Sequence, residues 1–365
     1  MTQLEVRELA DKKQDSIVLH LLLTNRCNLQ CNHCCNDSQA GEPEGLSMEI
    51  CKSLADSCRP AGVTAVHFTG GEVTLRRDLV TCIEHFAAVG IKPGFFTNGI
   101  NVSDQLLQEL DGRISAVSVS VDGPQQHHDY LRALPGAFDR TIRFIARVKD
   151  MGWHCLVQCT VTQGNLRQLD KVAEWAESLG LSRLHFTPLE LAGRATVMPE
   201  RERLTVKDLH LLFDTIARLK GDYPEMEIGL RGMSDTTFIR EHPCNVYACQ
   251  GSCHEGRSSF PRDLVITSDG TVYPLIKDLH PFFQLGNVNN RPLSDLVQEF
   301  ERSDRFMVFQ LLCKYVFQEM ISHYPYPLFP WLASLGLASR SEKFWSSIGR
   351  TMPPIEGGHR VLSLD

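Results

Sequence analysis

Residues 17–35 read Ile17-Val-Leu-His-Leu-Leu-Leu-Thr24-Asn-Arg-Cys27-Asn-Leu-Gln-Cys31-Asn-His-Cys34-Cys35. The short apolar run at 17–23 is typical of a strand buried on both faces. The polar loop that follows carries thiols at Cys27, Cys31 and Cys34, which can reach three corners of one inorganic cluster and leave its fourth corner without a protein ligand. We expect the rest of the chain to be arranged around this loop.

Composition limits the class of protein. The chain has 365 residues, 42% hydrophobic and 22% charged, which is enough for one large core and a smaller module. Its 13 cysteines are odd in number, many lie in apolar periodic runs, and no signal peptide precedes them. We therefore expect a cytoplasmic protein whose thiols serve metal or redox work. The net charge of −7, with scattered Lys and Arg, makes nucleic acid an unexpected partner, and no apolar run has the length of a membrane span.

Strand-like and helix-like patterns alternate after the loop. Strands are predicted at 17–23, 63–69, 91–97, 114–121, 154–161 and 183–187, and helices at 47–59, 79–89, 103–110, 137–151 and 166–179. This succession of six βα units predicts an α/β fold with a parallel sheet. Because the strands are short and evenly spaced, we expect a partial (β/α)6 TIM-like barrel rather than a doubly wound sheet. In either case ligands bind at the carboxyl ends of the strands.

Polar motifs follow successive strands and should therefore share one rim of the barrel. Gly70-Gly71-Glu72 follows the second strand, Asn98 ends the third, and Ser118, Ser120 and Asp122 end the fourth. Adjacent glycines let the backbone approach a ligand closely. Glu72 offers an acceptor for an ammonium group, Ser120 and Asp122 can bond a sugar hydroxyl, and Arg132 can hold a carboxylate through a bidentate fork. A ligand with an amino acid at one end and a ribose at the other suits this rim.

These motifs resemble those of the radical S-adenosylmethionine (SAM) enzymes. The match covers residues 16–195, and residues 241–297 resemble a SPASM or twitch extension. The resemblance implies a [4Fe–4S] cluster on Cys27, Cys31 and Cys34 whose open iron binds SAM. An electron from a donor such as flavodoxin or ferredoxin would then cleave SAM to a 5′-deoxyadenosyl radical that abstracts hydrogen from substrate. The SAM contacts implied by the resemblance are Gly70, Gly71, Glu72, Asn98, Ser118, Ser120, Asp122, Arg132 and Arg194.

Two features of the loop depart from the family pattern. His33 stands where the family usually has an aromatic residue, and Cys35 directly follows Cys34, so a CxxxCxxxC ligand set is an alternative. A zinc knuckle is a second alternative, with His33 or Cys35 as its fourth ligand. Zinc would not explain the motifs on the other strands.

The predicted extension is degenerate. Cys244, Cys249 and Cys253 precede a hairpin at 264–274, but Leu275 occupies the position of the next family cysteine. Ligand counting therefore excludes two auxiliary clusters. One auxiliary iron–sulfur cluster, a zinc ion, and a module without metal remain as alternatives for these three cysteines.

The remaining cysteines divide by their position. Helical positions predict core roles for Cys51, Cys58, Cys82 and Cys313. Cys155 and Cys159 lie four residues apart and hence on one face of the fifth strand. They are either core residues or, if they point into the barrel, candidate hydrogen-atom donors to a substrate radical.

The pattern indicates five segments. These are a lead-in at 1–15, the barrel at 16–200, a connecting helix and strand at 201–240, the small α+β module at 241–297 and a helical extension at 298–365. Residues 306–315 are apolar all round, so we expect a helix that is buried or lies at a subunit interface rather than one that anchors the protein to a membrane. We expect the lead-in at 1–15 to be too short to form a separate leader-binding domain.

The resemblance implies chemistry at an unactivated C–H bond. A peptide or peptide-like natural product, modified by epimerisation, cross-linking or oxidation, is the leading hypothesis. A dehydrogenase or epimerase of a small molecule, such as an aminocyclitol, sugar or amino acid, is the alternative. A non-catalytic iron–sulfur or zinc protein is the alternative of another class.

Overall fold

Most strands of the protein belong to one sheet. The computed structural model describes residues 17–232, 234–236, 263–321, 324 and 328–355. The strands in this part of the chain are β1 (Ile17–Thr24), β2 (Val63–Gly70), β3 (Lys92–Thr97), β4 (Ala116–Ser120), β5 (Cys155–Val161), β6 (Arg183–Pro188), β7 (Glu227–Leu230), β8 (Ser234–Asp235), β9 (Asp263–Ile266), β10 (Thr271–Pro274), β11 (Gly286–Asn287) and β12 (Leu328–Phe329). The main sheet has the order β11-β10-β9-β1-β2-β3-β4-β5-β6-β7, and β8 pairs with β12.

The parallel sheet confirms the predicted α/β partial barrel. Strands β1 to β7 pair in parallel with their neighbours in chain order. The sheet is not closed, because β7 and β11 form its two edges. The sheet has strands at both edges beyond the six βα units predicted from the sequence. The segment expected to be a connection adds β7 to one edge, and the predicted hairpin, β9 with β10, joins the other edge through parallel pairing of β9 with β1.

Helices cover the sheet and begin where the sequence supplies caps. They are α1 (Met48–Cys58), α2 (Leu79–Ala88), α3 (Asp104–Leu110), α4 (Gln125–Arg132), α5 (Ala137–Asp150), α6 (Leu169–Ser178), α7 (Val206–Asp222), α8 (Leu293–Glu301), α9 (Asp304–Val316), α10 (Trp331–Ser339) and α11 (Glu342–Ser347). The Ser47 side chain accepts a hydrogen bond from the backbone N–H of Ile50, and Ser103 caps α3 in the same way. Thr205 and Asp208 form a capping box at the start of α7.

The two faces of the sheet have different partners. Alternate residues of each strand, such as Leu21, Val119 and Phe186, lie in the hydrophobic core that the helices complete. The residues between them face the other side, which we call the lumen. A contact across the lumen shows that the sheet curves around it. The guanidinium carbon of Arg231, directly after β7, lies 5.5 Å from the ring centre of Phe96 on β3. In a flat sheet four strand spacings, about 19 Å, would separate these two strands.

A group of packed aromatic side chains lies among the C-terminal helices. Phe283 stacks on Trp345 with ring centres 5.9 Å apart, and Phe344 is buried beside them. Helix α9 confirms the predicted helix at 306–315, but Met307 and Leu311 on it are exposed. No helix within the described ranges has the length and apolarity needed to cross a membrane.

Candidate active site

The cysteine loop gathers three thiols in one packed group. Cys27 and Cys31 are buried and Cys34 is half-buried, and all three belong to a small apolar cluster with Leu29 and Ile100. The backbone N–H of Cys27 donates to the carbonyl of Gln39, and the N–H of Asn32 donates to that of Leu131. The loop is thus held against the end of α4, and the thiols share one environment.

The chemistry of these donors fits an iron–sulfur cluster. Burial raises the pKa of Cys27 to about 12 and also raises the pKa of Cys31, so thiolates in this place need a compensating positive charge. The Leu29 N–H lies 3.5 Å from the Cys27 sulfur, and Arg132 Nη1 lies 3.9 Å from the Cys31 sulfur. Donors to sulfur are a means by which proteins stabilise and tune such clusters. Within the described residues, no three His, Cys, Asp or Glu side chains are close enough to hold a single metal ion.

The structure groups Cys34, and not Cys35, with the other two thiols. The Cys35 sulfur lies 3.9 Å from Asn36 Oδ1, and burial raises the pKa of Cys35 to about 12. His33 contacts α4, with its Nδ1 3.1 Å from the carbonyl oxygen of Leu131. Burial lowers the pKa of His33 to about 4, so the imidazole is neutral near pH 7.

The two glycines after β2 serve a close contact between backbones. A Cβ on Gly70 would lie 2.1 Å from the carbonyl oxygen of Thr24, and one on Gly71 would lie 2.0 Å from that of Arg26. The N–H of Gly71 donates to the Thr24 carbonyl at 2.7 Å. These glycines therefore let the start of the cysteine loop lie directly on the end of β2. Their predicted contact with SAM stays a prediction.

Glu72 accepts hydrogen bonds from several protein donors, and its expected contact with a ligand ammonium stays a prediction. Its carboxylate is buried, and Oε1 accepts from the N–H and hydroxyl of Thr74 and from the hydroxyl of Thr97. Oε2 accepts from the N–H of Asn98 at 2.8 Å. Burial raises the pKa of Glu72. With four donors already bound, this carboxylate joins the ends of β2 and β3.

Asp122 and Arg132 form a buried pair beside the cysteine loop. Arg132 Nε and Nη2 each lie 2.7 Å from Asp122 Oδ2, while Oδ1 accepts from the N–H of Thr160. Burial alone would raise the pKa of Asp122, but Arg132, and then His33 and His128, hold that pKa below its usual range. Their pairing fixes the guanidinium beside Cys31. The expected sugar contact of Asp122 and carboxylate contact of Arg132 stay predictions.

Three other predicted site residues differ in whether their side chains have hydrogen-bond partners within the described residues. Ser118 and Ser120 lie on the lumen side of β4, and no partner for either hydroxyl is present among the described residues. Asn98 is committed, because its Nδ2 donates to Asn28 Oδ1 and its Oδ1 accepts from the N–H of Ile100. Asn98 therefore ties β3 to the cysteine loop.

Arg194 clamps the cysteine loop from outside. Its Nε donates to the carbonyl of Cys31 at 2.9 Å, and Nη2 donates to that of Ser38 at 2.8 Å. Nη1 pairs with Asp37 Oδ1 at 2.6 Å. This role is a contact with the loop backbone, and a contact of Arg194 with SAM stays a prediction.

Lys277 was not predicted from the sequence. Its ammonium donates to the carbonyl of Cys35 and to Asn36 Oδ1, across more than two hundred residues of chain. No local pattern marks such a contact, because it arises only when the hairpin docks on β1.

The structure places Cys155 and Cys159 on the side of β5 that faces the helices. Both are buried in the main core together with Val157. The lumen side of the strand belongs to the residues between them, such as Gln158. A hydrogen-atom donor has to face the lumen, so of the two alternatives left open by the sequence this placement favours the core role. The cysteines Cys244, Cys249 and Cys253 lie outside the described residues.

Comparisons with known proteins agree with this geometry. The family model of the Radical SAM superfamily matches residues 21–210. The "Fe-coproporphyrin III synthase" of Methanosarcina barkeri is 27% identical over 75% of this chain and 71% of its own length. The "Mycofactocin maturase MftC" of Mycobacterium tuberculosis is 32% identical over 73% of this chain and 66% of its own length. The chain spans about half the length of the "AdoMet-dependent heme synthase" relatives that it matches.

A solved structure shares the fold. Streptococcus suis SuiB bound to the precursor peptide SuiA covers 81% of this chain and 70% of its own, with a TM-score of 0.62 and 15% identity. At this identity the likeness concerns the fold alone.

Proposed function

The chain belongs to the radical SAM superfamily, with a [4Fe–4S] cluster and SAM as its cofactors, and we propose that it modifies a peptide or peptide-like natural product at an unactivated C–H bond. When bound, these cofactors supply a 5′-deoxyadenosyl radical, which is the species that removes hydrogen from such a bond. We further propose that the protein is cytoplasmic and that a flavodoxin or ferredoxin supplies its electrons.

One observation carries the proposal. Cys27, Cys31 and Cys34 lie in a single apolar cluster of packed side chains after the carboxyl end of β1. These three thiols hold the cluster, and the Leu29 N–H and the Arg132 guanidinium stabilise the charge on the sulfur atoms. The free hydroxyls of Ser118 and Ser120 face the lumen and bind the ribose of SAM.

Peptide-modifying relatives support the choice of substrate. Mycofactocin maturase and the "PqqA peptide cyclase" of Methylocella silvestris are among the relatives, the latter at 29% identity over 75% of this chain. The net reaction is epimerisation, cross-linking or oxidation. Because Cys155 and Cys159 are not in the lumen, an epimerisation would need another donor for the returning hydrogen atom.

A small-molecule substrate is the second candidate. It is supported by the similarity to Fe-coproporphyrin III synthase, which extends over 71% of that protein. The two candidates share the cofactor site and differ only in what enters the lumen.

Anaerobic reconstitution tests the proposed chemistry. Protein given iron, sulfide, SAM and a reductant should release 5′-deoxyadenosine, measured by liquid chromatography and mass spectrometry. Cys27→Ala should lower this release to the level without enzyme, whereas Cys313→Ala, which changes a thiol in the helical core, should keep it. A wild-type protein that binds a cluster but releases no 5′-deoxyadenosine would exclude the proposal.

We also propose that Cys244, Cys249 and Cys253 hold one auxiliary iron–sulfur cluster. A variant lacking Cys27, Cys31 and Cys34 should then retain about four irons per chain after reconstitution. Iron and sulfide analysis measures this number. Zinc without iron would identify a zinc site, and neither metal would show that the module is metal-free.

A further inference from the structure

We propose that Arg231 and His67 form a carboxylate-binding subsite in the lumen, with the ring of Phe96 as its floor. This inference rests on the proposed function, because it takes the lumen to be the substrate chamber. It names one chemical group that the substrate carries there.

The position of Arg231 is set by the strand that precedes it. Its backbone N–H donates to the carbonyl of Phe186, which continues the pairing of β6 with β7. From there its guanidinium crosses the lumen and lies 5.5 Å from the centre of the Phe96 ring. A guanidinium stacked on an aromatic face keeps its N–H edge free to bind a planar anion.

The charge of Arg231 is not neutralised within the described residues. The structure shows no hydrogen bond or ion pair of this guanidinium with them, and burial lowers the pKa of Arg231. Asp263, the acid that acts on it, accepts from His20 Nε2 at 3.2 Å. Glu227, the acid nearest on β7, pairs with Arg183 at 2.8 Å. Within the part of the chain that the structure describes, the half-buried positive charge of Arg231 therefore has no counterion in contact with it.

His67 supplies a second polar atom to the same place. Its ring packs edge-on against Phe96 with centres 5.9 Å apart, and its buried Nδ1 has no hydrogen-bond partner among the described residues. Burial, and then the neighbouring His20 and Arg231, lower the pKa of His67 to about 4, so the imidazole is neutral near pH 7. A neutral imidazole can donate one hydrogen bond to an anion without adding charge.

This combination favours a carboxylate. The site has one positive charge, a planar set of N–H donors, one further donor and an aromatic floor, which together match a planar monoanion. Phe96 neighbours Ser118 in the sheet, so the subsite lies on the same lumen face as the hydroxyls proposed for SAM. A substrate held there by a carboxylate extends along that face. The carboxylate belongs either to an acidic peptide side chain or to an acidic small molecule.

Two matched pairs of ligands test the subsite and separate these sources. The first pair is a short blocked peptide with one glutamate and its glutamine counterpart, measured by calorimetry. The second pair is coproporphyrin III and its tetramethyl ester, measured by fluorescence titration. Reconstituted enzyme with SAM should bind the acid of at least one pair about tenfold more tightly than its neutral partner.

The variants assign that preference to Arg231. Arg231→Gln should abolish the preference for the acid and Arg231→Lys should retain part of it. Arg113→Gln, which changes an exposed arginine paired with Glu84, should leave it intact. Equal binding of acid and neutral partner in both pairs, absence of binding by all four ligands, or an unchanged preference in Arg231→Gln would overturn the subsite.

The ligand-binding test of the subsite does not require that the enzyme cleave SAM. Release of 5′-deoxyadenosine without substrate should be the same in Arg231→Gln as in wild type, because the residue does not contact the cysteine loop. If the wild type releases none, the proposed function fails, while the binding preference can still be measured.

Discussion

Two buried carboxylates, Glu72 and Asp122, organise the rim of the cofactor site through hydrogen bonds within the protein. Each accepts hydrogen bonds from protein donors at both oxygens. Loss of either carboxylate would leave those donors unsatisfied. At the level of single residues, the side chains around the thiols therefore position the loop.

The choice between Cys34 and Cys35 can be tested by single substitutions. Cys34→Ala should lose most of the reconstituted cluster absorbance and all release of 5′-deoxyadenosine, because Cys34 shares a pocket with Cys27 and Cys31. Cys35→Ala is the matched control and should keep both, with iron near the wild-type value. The reverse pattern would assign the third ligand to Cys35.

Buried neutral histidines predict a fall in stability at acid pH. Burial lowers the pKa of His128 from its usual 6.5 to about 4. Between these values the unfolded chain binds a proton that the folded chain does not, so stability is full above pH 6.5 and declines as the pH falls towards 4.

Urea unfolding of the apoprotein at pH 7.5 and pH 5 measures this decline. His128→Gln should show a smaller difference between the two midpoints, and the exposed His154→Gln should show the wild-type difference. An equal difference in all three proteins would mean that His128 does not contribute.

At the scale of elements, the cysteine loop is held between the ends of neighbouring strands. The glycines after β2 let the loop backbone lie within hydrogen-bonding distance, and Arg194, after β6, binds the loop from the other side. The loop is thus fixed by backbone groups of elements far apart in the chain.

Gly71→Ala tests this arrangement. Its Cβ would lie 2.0 Å from the carbonyl oxygen of Arg26, so the loop has to move. We expect a loss of about 2 kcal/mol in the free energy of unfolding and a clear loss of bound iron. Gly41→Ala, in the same loop with no atom within 4 Å of its Cβ, is the control and should change neither quantity. Normal iron content in Gly71→Ala would show that the close approach is dispensable.

At the scale of the whole molecule, the C-terminal hairpin and the barrel form one sheet. Strand β9 pairs with β1, the strand that leads into the cysteine loop. Lys277, just after β10, binds the loop at Cys35 and Asn36. Changes in the C-terminal part of the chain therefore reach the cofactor loop directly.

Removing the Lys277 contact should loosen that loop. In Lys277→Met, hydrogen exchange of the amides in residues 32–38 should accelerate by roughly tenfold, as the loss of one charge-assisted hydrogen bond predicts. Exchange in α2, remote from the contact, provides the internal reference. Lys343→Met, at an exposed lysine, is the control variant. Unchanged exchange in 32–38 would indicate that the hairpin does not stabilise the loop.

The sequence by itself determined the parallel α/β fold, the order of its first six strands and the grouping of motifs on one rim. These depend on local properties: the spacing of apolar residues, the caps at Ser47 and Ser103, and the cysteines within one short loop. The sequence also indicated the family, which the match over residues 21–210 confirms.

Only the tertiary structure decided which polar groups remain available. Whether Glu72 or Asp122 faces a ligand depends on donors such as Thr97 and Thr160, which are distant in the chain. Whether Cys155 and Cys159 face the lumen depends on the register of β5, because a shift of one residue exchanges the two faces of a strand. The contact of Arg231 with Phe96 requires the curvature of the sheet. Pattern in a sequence specifies the elements, whereas the partners of a side chain are fixed only when those elements pack.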